Sequence, residues 1–252
     1  MAKMTLLEMV QDILNDLDSD AVNSIADTVE AEQVAQIIKT CYFEQISNRN
    51  WPHLKKLTTL DSSNDLSKPN YLVLPDNLRE MISIHYQVSN NNTTSYKELC
   101  YKYPDEFLRI VGGVNATQVN VDAVVDYEGT TLYIINDKDP SYWTSFDDKH
   151  IVTDTYNSTV DDTLKTAKTQ VLAYFDPTWE VDDSFIPDLP TDAFSGLLEE
   201  AKSVAFYTLK QTVNQKAEGK AQRQQRWLSR KSWRAHGGVR YFDYGRKNRK
   251  YS

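Results

Sequence analysis

The chain has 252 residues, 40% of them apolar and 25% charged, enough for one substantial core or for one domain carrying a large insertion, and not the composition of a disordered chain. No run approaches the roughly 20 apolar residues of a bilayer span, and residues 1–14 include Glu8 and Asp12 with no small-residue cleavage site, so they do not read as a signal peptide. Cys41 and Cys100, the two cysteines, make no disulfide framework, so the sequence reads as made and folded in a cytosol with reduced thiols.

Net charge is −8 but unevenly spread. Residues 214–252 hold 12 Lys and Arg against Glu218 and Asp243, a net of +10, whereas residues 1–213 hold 16 against 34 acids, a net of −18. A basic C-terminal arm on an acidic body implies that the arm has its own partner.

The first predicted element is a helix over residues 4–17, with Leu6, Val10, Ile13 and Leu17 at helical spacing and Thr5/Glu8 forming a capping-box pattern. The second covers about residues 30–47. Its apolar stripe is Val34, Ile37, Ile38, Cys41, Tyr42 and Ile46, with Thr28 as cap, and Pro52 ends the run. From about residue 57 to 156 the period changes to two. Ile82, Ile84, Tyr86 and Val88 alternate with polar residues, as do Val119, Val121, Ala123 and Val125, then Leu132 and Ile134 beyond a tight turn at Glu128-Gly129. Residues 96–103 read as a strand and 104–110 as a short helix opened by Pro104, with polar loops at 89–95 and 112–118.

Residues 163–175 are ambiguous, with threonines and Val171 favouring a strand. Residues 176–190, with Pro177, Pro187 and Pro190 among acids, read as an extended connector. A long helix follows, capped by Thr191 and burying Phe194, Leu197, Leu198, Ala201, Ala205 and Leu209. It is expected to continue to about Trp233 with a weak point at Gly219, and residues 235–252 are expected to be irregular.

The predicted fold is therefore α+β: a helical bundle of N- and C-terminal helices, an inserted antiparallel β module and an extended basic C-terminal arm. The expected boundaries are 1–56 with 157–234 for the helical domain, 57–156 for the β module and 235–252 for the tail.

The motifs point away from catalysis. His53, His85, His150 and His236 lie far apart, none in ligand spacing with a cysteine. Gly112-Gly113 lacks the Lys-Ser/Thr of a phosphate-cradling loop, and no G-x-S-x-G elbow exists. The pairs Asp147-Asp148, Asp161-Asp162 and Asp182-Asp183 read as solvated loops, because adjacent acids on a strand face opposite ways. No enzyme activity, cofactor or metal is expected. The arm is more informative. Lys216, Lys220, Arg223, Arg226, Arg230 and Arg234, spaced by three or four, form one stripe on a helix, with Trp227 and Trp233 interleaved. A solvated face is the plain reading, but acids are scarce here and exposed tryptophans are costly. The stripe suits nucleic acid or a groove on a protein, and the acidic body, which repels phosphate, favours the protein. Tyr142, Trp143 and Phe146 in D-P-S-Y-W-T-S-F-D-D fit either a core corner or an interface.

Several segments in this order carry a family resemblance: N-R-N-W-P at 48–52, L-P-D-N-L-R-E-M at 74–81, D-P-S-Y-W-T-S-F-D-D at 139–148, and P-D-L-P at 187–190 before a long helix with a basic arm. Together they resemble the head-to-tail adaptor proteins of short-tailed phages, also called tail tubular protein A or gatekeeper proteins, and the ring proteins of crAss-like phages. The resemblance implies a structural virion protein in the neck. It implies a ring, typically of twelve subunits, beneath the portal, with double-stranded DNA passing through it and no membrane contact. The helices and the arm would face the portal, which assigns Lys216, Lys220, Arg223, Arg226, Trp227, Arg230, Lys231, Trp233, Arg234, Tyr241, Phe242 and Tyr244 to portal binding. The β module would face the next tail or nozzle component, with Asn91, Asn92, Thr93, Asn115, Tyr142, Trp143 and Phe146 as tail-side or inter-subunit contacts. A nucleic-acid-binding module and a tail-tube or nozzle subunit are the alternatives.

Overall fold

The computed structural model describes residues 3–90, 93–158 and 169–234, with the side chains of residues 89, 90, 93, 94 and 230–234 left aside. The protein is mixed α+β, and its chain divides into two compact units, one from residues 1–54 and 177–252 and one from 55–176.

The first unit holds four helices among the described residues: α1 (Leu6–Asp16), α2 (Val29–Ser47), α4 (Thr191–Lys210) and α5 (Gln215–Arg234). At α1 the capping box forms in full: Thr5 Oγ1 accepts from the Glu8 N–H at 3.2 Å and the Glu8 carboxylate accepts from the Thr5 N–H at 2.8 Å. Leu6, Met9, Val10, Ile13 and Leu14 face inward. The connector before α4 supplies further acceptors, taking the N–H of Leu6 on the Phe185 carbonyl at 2.7 Å and that of Leu7 on the Asp183 carbonyl at 3.3 Å. Thr28 caps α2 through the Ala31 N–H, and α2 buries Val34, Ile38, Cys41, Tyr42 and Ile46. A single 3-10 turn at Pro52–Leu54 follows. α4 packs against α1, α2 and α5.

Two expectations fail here. Pro190, not Thr191, sits at the N-cap of α4, with no side-chain cap. The break in the C-terminal helix lies before Gly219: Gln211 adopts a left-handed conformation (φ 51°) that ends α4. Asn214 then caps a new helix, its Oδ1 accepting the Ala217 N–H at 3.0 Å. A weak former is tolerated inside a helix at a cost of about 1 kcal/mol, so Gly219, half-buried, stays helical in α5.

The second unit is built on an eight-stranded sheet in the order β1-β10-β4-β5-β8-β9-β3-β2 and a separate β6-β7 hairpin. The strands are β1 (Lys55–Thr58), β2 (Asp61–Ser62), β3 (Tyr71–Val73), β4 (Leu78–Asn90), β5 (Thr93–Tyr101), β6 (Val121–Val125), β7 (Thr131–Ile135), β8 (Tyr142–Thr144), β9 (His150–Thr153) and β10 (Thr169–Phe175), with α3 (Pro104–Gly112) between β5 and β6. β1 and β2, the two edges, are separated by only Thr59 and Leu60, so one bent segment serves both ends of a curled sheet. Thr169 Oγ1 ties that bend by accepting the Leu60 N–H at 2.8 Å.

Leu60, Leu72, Ile84, Tyr86, Leu99, Ile151, Val171, Ala173 and Phe175 form the inner core, with Trp143 packed against it. A second cluster joins Phe107 and Val111 of α3 to Val124, Leu132, Ile134, Tyr71 and Val152. Pro104 opens α3 as expected, and Gly129 (φ 84°) makes the β6-β7 turn, where its N–H meets the Asp126 carbonyl at 3.0 Å.

Five readings of this region are corrected. The module is not wholly antiparallel: β5 and β8 run parallel, because α3 and the β6-β7 hairpin form a crossover between them. The module extends past residue 156, since β10 pairs with both β1 and β4. Residues 89, 90 and 93–95 belong to the β4-β5 ladder rather than to a loop. In β6 the inward face is the opposite one, Val124 lying buried across from Leu132 while Ala123 and Val125 are exposed. Ile82 also leaves the inward set: the β4-β10 register slips at that point, pairing Leu172 with Ser83 and Ala173 with Met81.

Candidate interaction surfaces

α5 folds back on α4 through Ala217, Ala221 and Leu228, all buried. Gly196 permits the approach, since a Cβ there would stand 3.1 Å from Gln224 Cγ. Gln224 donates to the Asp192 carbonyl at 2.6 Å and Gln225 to Glu200 at 3.2 Å. Arg49, in the N-R-N-W-P segment, reaches Ser229 of α5 at 3.3 Å and stands 5.0 Å from the Trp51 ring, and its burial lowers its pKa. Trp51 itself is buried and donates to the Gln45 carbonyl.

At roughly 100° per residue, Lys216, Lys220, Arg223 and Trp227 fall on one strip of α5, about 60° or more from Ala217 and Ala221, with Arg226 on its margin. All five are exposed, Trp227 at 45%. The stripe is not uniformly available. The Lys220 ammonium pairs with Glu199 of α4 at 2.6 Å, and Arg223 Nε donates to the Gly219 carbonyl of its own helix at 3.0 Å. Arg230, Lys231, Trp233 and Arg234 continue α5, but their side chains lie outside the described residues, as do Tyr241, Phe242 and Tyr244.

The proposed tail-side residues do not form one group. Asn91 and Asn92 lie outside the described residues, and Thr93 opens β5. Asn115 turns its side chain onto Thr117. Tyr142 lies under the Lys102 ammonium at 5.5 Å, Trp143 stands edge-on to Tyr101 at 4.9 Å, and Phe146 edge-on to Phe107 at 6.0 Å. Tyr101 and Tyr103 keep this aromatic strip open to solvent.

No protein-family model matches this chain, and no curated protein matches it.

One cluster escaped sequence reasoning. His150 of β9 stacks on Tyr127 at 4.2 Å and its Nδ1 meets Asp147 at 2.5 Å, while Lys68 lies 4.7 Å over the other ring of the stack, Tyr127. Partial burial pushes the Asp147 pKa up, but hydrogen bonds from His150 and from the Lys149 and His150 N–H groups outweigh it and hold it below the usual range. Beneath, the Tyr71 hydroxyl donates to Asp126 at 2.7 Å, with its pKa raised by burial and by that carboxylate. These residues come from three separate turns, which no local spacing reveals. Asp147 is thus not merely a solvated acid, nor is Asp183, whose Oδ1 accepts the Ile25 N–H at 2.9 Å. Asp161 and Asp162 lie outside the described residues. Among the described residues no group of three His, Cys, Asp or Glu is placed to hold a metal, and no helix is long and apolar enough to cross a membrane.

Proposed function

We propose that this chain is a structural, non-enzymatic virion protein, a head-to-tail adaptor that forms a ring, of twelve copies on the family resemblance, between a phage portal and the tail. The helical unit forms a bundle facing the portal, and residues 216–251 act as its docking arm. The β unit faces the next tail or nozzle protein, and double-stranded DNA passes through the centre without sequence-specific binding. The observation that carries this reading is the α5 stripe: Lys216, Arg226 and Trp227 stand exposed on a helix packed to an otherwise acidic chain. Cations beside an aromatic anchor suit a protein surface with carboxylates and an apolar groove. Acids of the body, not the stripe, line the DNA channel, because like charges keep duplex sliding within a Debye length of about 8 Å.

Because α5 covers part of α4, substitution tests the arm more cleanly than deletion. Lys216→Glu with Arg226→Glu abolishes decoration of isolated portals while leaving the far-UV spectrum unchanged; unaltered decoration sinks the assignment. The second reading, a nucleic-acid-binding module, draws on the same continuity of charge along α5. It requires co-purifying nucleic acid that is lost steeply with salt, since each neutralised phosphate contributes close to one unit of log–log slope. The third, a tail-tube or nozzle subunit, keeps the structural class and predicts assembly without portal binding.

A further inference from the structure

The eight-stranded sheet has an open edge that is not at its end. β4 covers one side of β5 along its length, from Leu99 opposite Ile84 to Thr93 opposite Asn90. On the other side β8 pairs only with Cys100 and Tyr101. Residues 93–99 therefore present a strand edge that no strand covers among the described residues. A second open edge lies on the same sheet. β1 pairs with β10 on one side only, and Lys55, Lys56 and Leu57 are all exposed. Bare edges of this kind are templates for pairing with another chain.

The side chains of the two edges match. In β5, Leu99 points inward opposite Ile84, so Glu98 and Tyr96 share the outer face. In β1, Lys56 and Thr58 pair with the inward Ala173 and Val171, so Lys55 and Leu57 share the outer face. Leu57 is 72% exposed and Tyr96 42%, large apolar groups with nothing over them that their own sheet requires. Laid antiparallel with Lys55 opposite Glu98, β1 brings Leu57 opposite Tyr96 and Thr58 opposite Ser95. This places an opposite-charge pair and an aliphatic–aromatic pair side by side on one face. Lys56 opposite Lys97 is the mismatch, but the Lys97 ammonium is already held at 2.8 Å by Ser141 Oγ.

We propose that β1 of one copy adds to the open edge of β5 in the next copy, in this antiparallel register. The two edges differ, so the contact is head-to-tail and repeats from copy to copy until it closes. β1 is already extended, so little ordering opposes the pairing. The proposal rests on the ring reading above and names the strands that would join its subunits.

The test is directed cross-linking of the full chain with Cys100→Ser, in which Leu57→Cys and Tyr96→Cys are combined. All three positions are exposed, so folding is kept, and circular dichroism verifies it. Oxidation, alone at high concentration and on isolated portals, yields an intermolecular ladder ending in a closed product, whereas an equal mixture of the two single variants stops at dimers. Glu98→Lys weakens self-association about two- to fivefold per contact, the range of one cross-strand charge pair, and Lys55→Glu in the same chain restores it. Assembly by sedimentation without cross-linking at this pair overturns the strand pairing and leaves the ring reading standing. A monomer at every concentration and on portals overturns both.

Discussion

On the proposed adaptor reading, the environment of each α5 residue fixes how much its loss weakens docking. Trp227 is half exposed on the outer strip of α5, so a partner can bury the rest of its ring, and a central tryptophan anchor is typically worth about 2 kcal/mol or more. Trp227→Ala is expected to weaken portal binding by about 30-fold, since about 1.4 kcal/mol is a factor of ten. Arg226 is exposed, and a single rim charge contributes about 0–1 kcal/mol, so Arg226→Ala costs at most about fivefold. Lys220 differs because its ammonium, 2.6 Å from Glu199, must leave one carboxylate to serve another. Lys220→Ala is therefore expected to change affinity by less than about twofold. Surface plasmon resonance on immobilised portals at one fixed salt concentration measures all three, with thermal melts verifying that α5 stays docked through Ala217, Ala221 and Leu228. A Lys220→Ala loss equal to that of Trp227→Ala would refute the argument that Glu199 occupies this cation.

Three further outcomes follow from the packing. The Cys41 thiol is pushed up to about 12, first by burial and then by Glu200 and Glu44, whereas Cys100 is exposed; Ellman's reagent should titrate one thiol in native protein and two in denaturant, and two fast native thiols would count against the α2 packing. Lys202 bridges Asp12 at 2.8 Å and Asp16 at 2.6 Å, and although burial works to lower its pKa these bonds raise it above the ordinary lysine value. Its contribution is thus fully present below the unfolded pKa of about 10.4 and lost as pH rises through the folded one. Lys202→Met should cost about 1–2 kcal/mol at pH 7, a gap that narrows in denaturant titrations only above about pH 10, and a gap that stays constant to pH 12 rejects the linkage. Phe107→Ala, at a fully buried site joining α3 to the β6-β7 hairpin, should cost about 3–5 kcal/mol in urea unfolding, and a loss under about 1 kcal/mol would contradict the second core.

What could be read from the sequence was local. The Thr5/Glu8 box, the Thr28 cap, the Pro104 start of α3 and the Gly129 turn each depend on residues within four positions of one another, and the α5 stripe needs only helical spacing. What escaped depends on partners far along the chain. β10 could not be placed in the sheet without knowing that Lys55 to Thr58 and Leu78 to Tyr86 flank it. The parallel β5-β8 contact needs the whole α3 and hairpin crossover, and the exposure of Ile82 needs a bulge created by its partner strand. The same holds at the candidate site: the sequence pattern predicts one continuous helix through α4 and α5, which hides the return of Lys220 onto Glu199. Gln211 carries no strong sign of a left-handed residue, the position being one where Gly or Asn is usual.

The adaptor reading is tested most directly by imaging. Purified chain is mixed with isolated phage portals, and the particles are averaged by electron microscopy. The expected image is an added ring, coaxial with the portal and seated on its tail-facing end, with α5 at the contact and an acidic lumen. Portals that remain bare at saturating protein, beside a chain that instead coats duplex DNA and releases it steeply with salt, would contradict it.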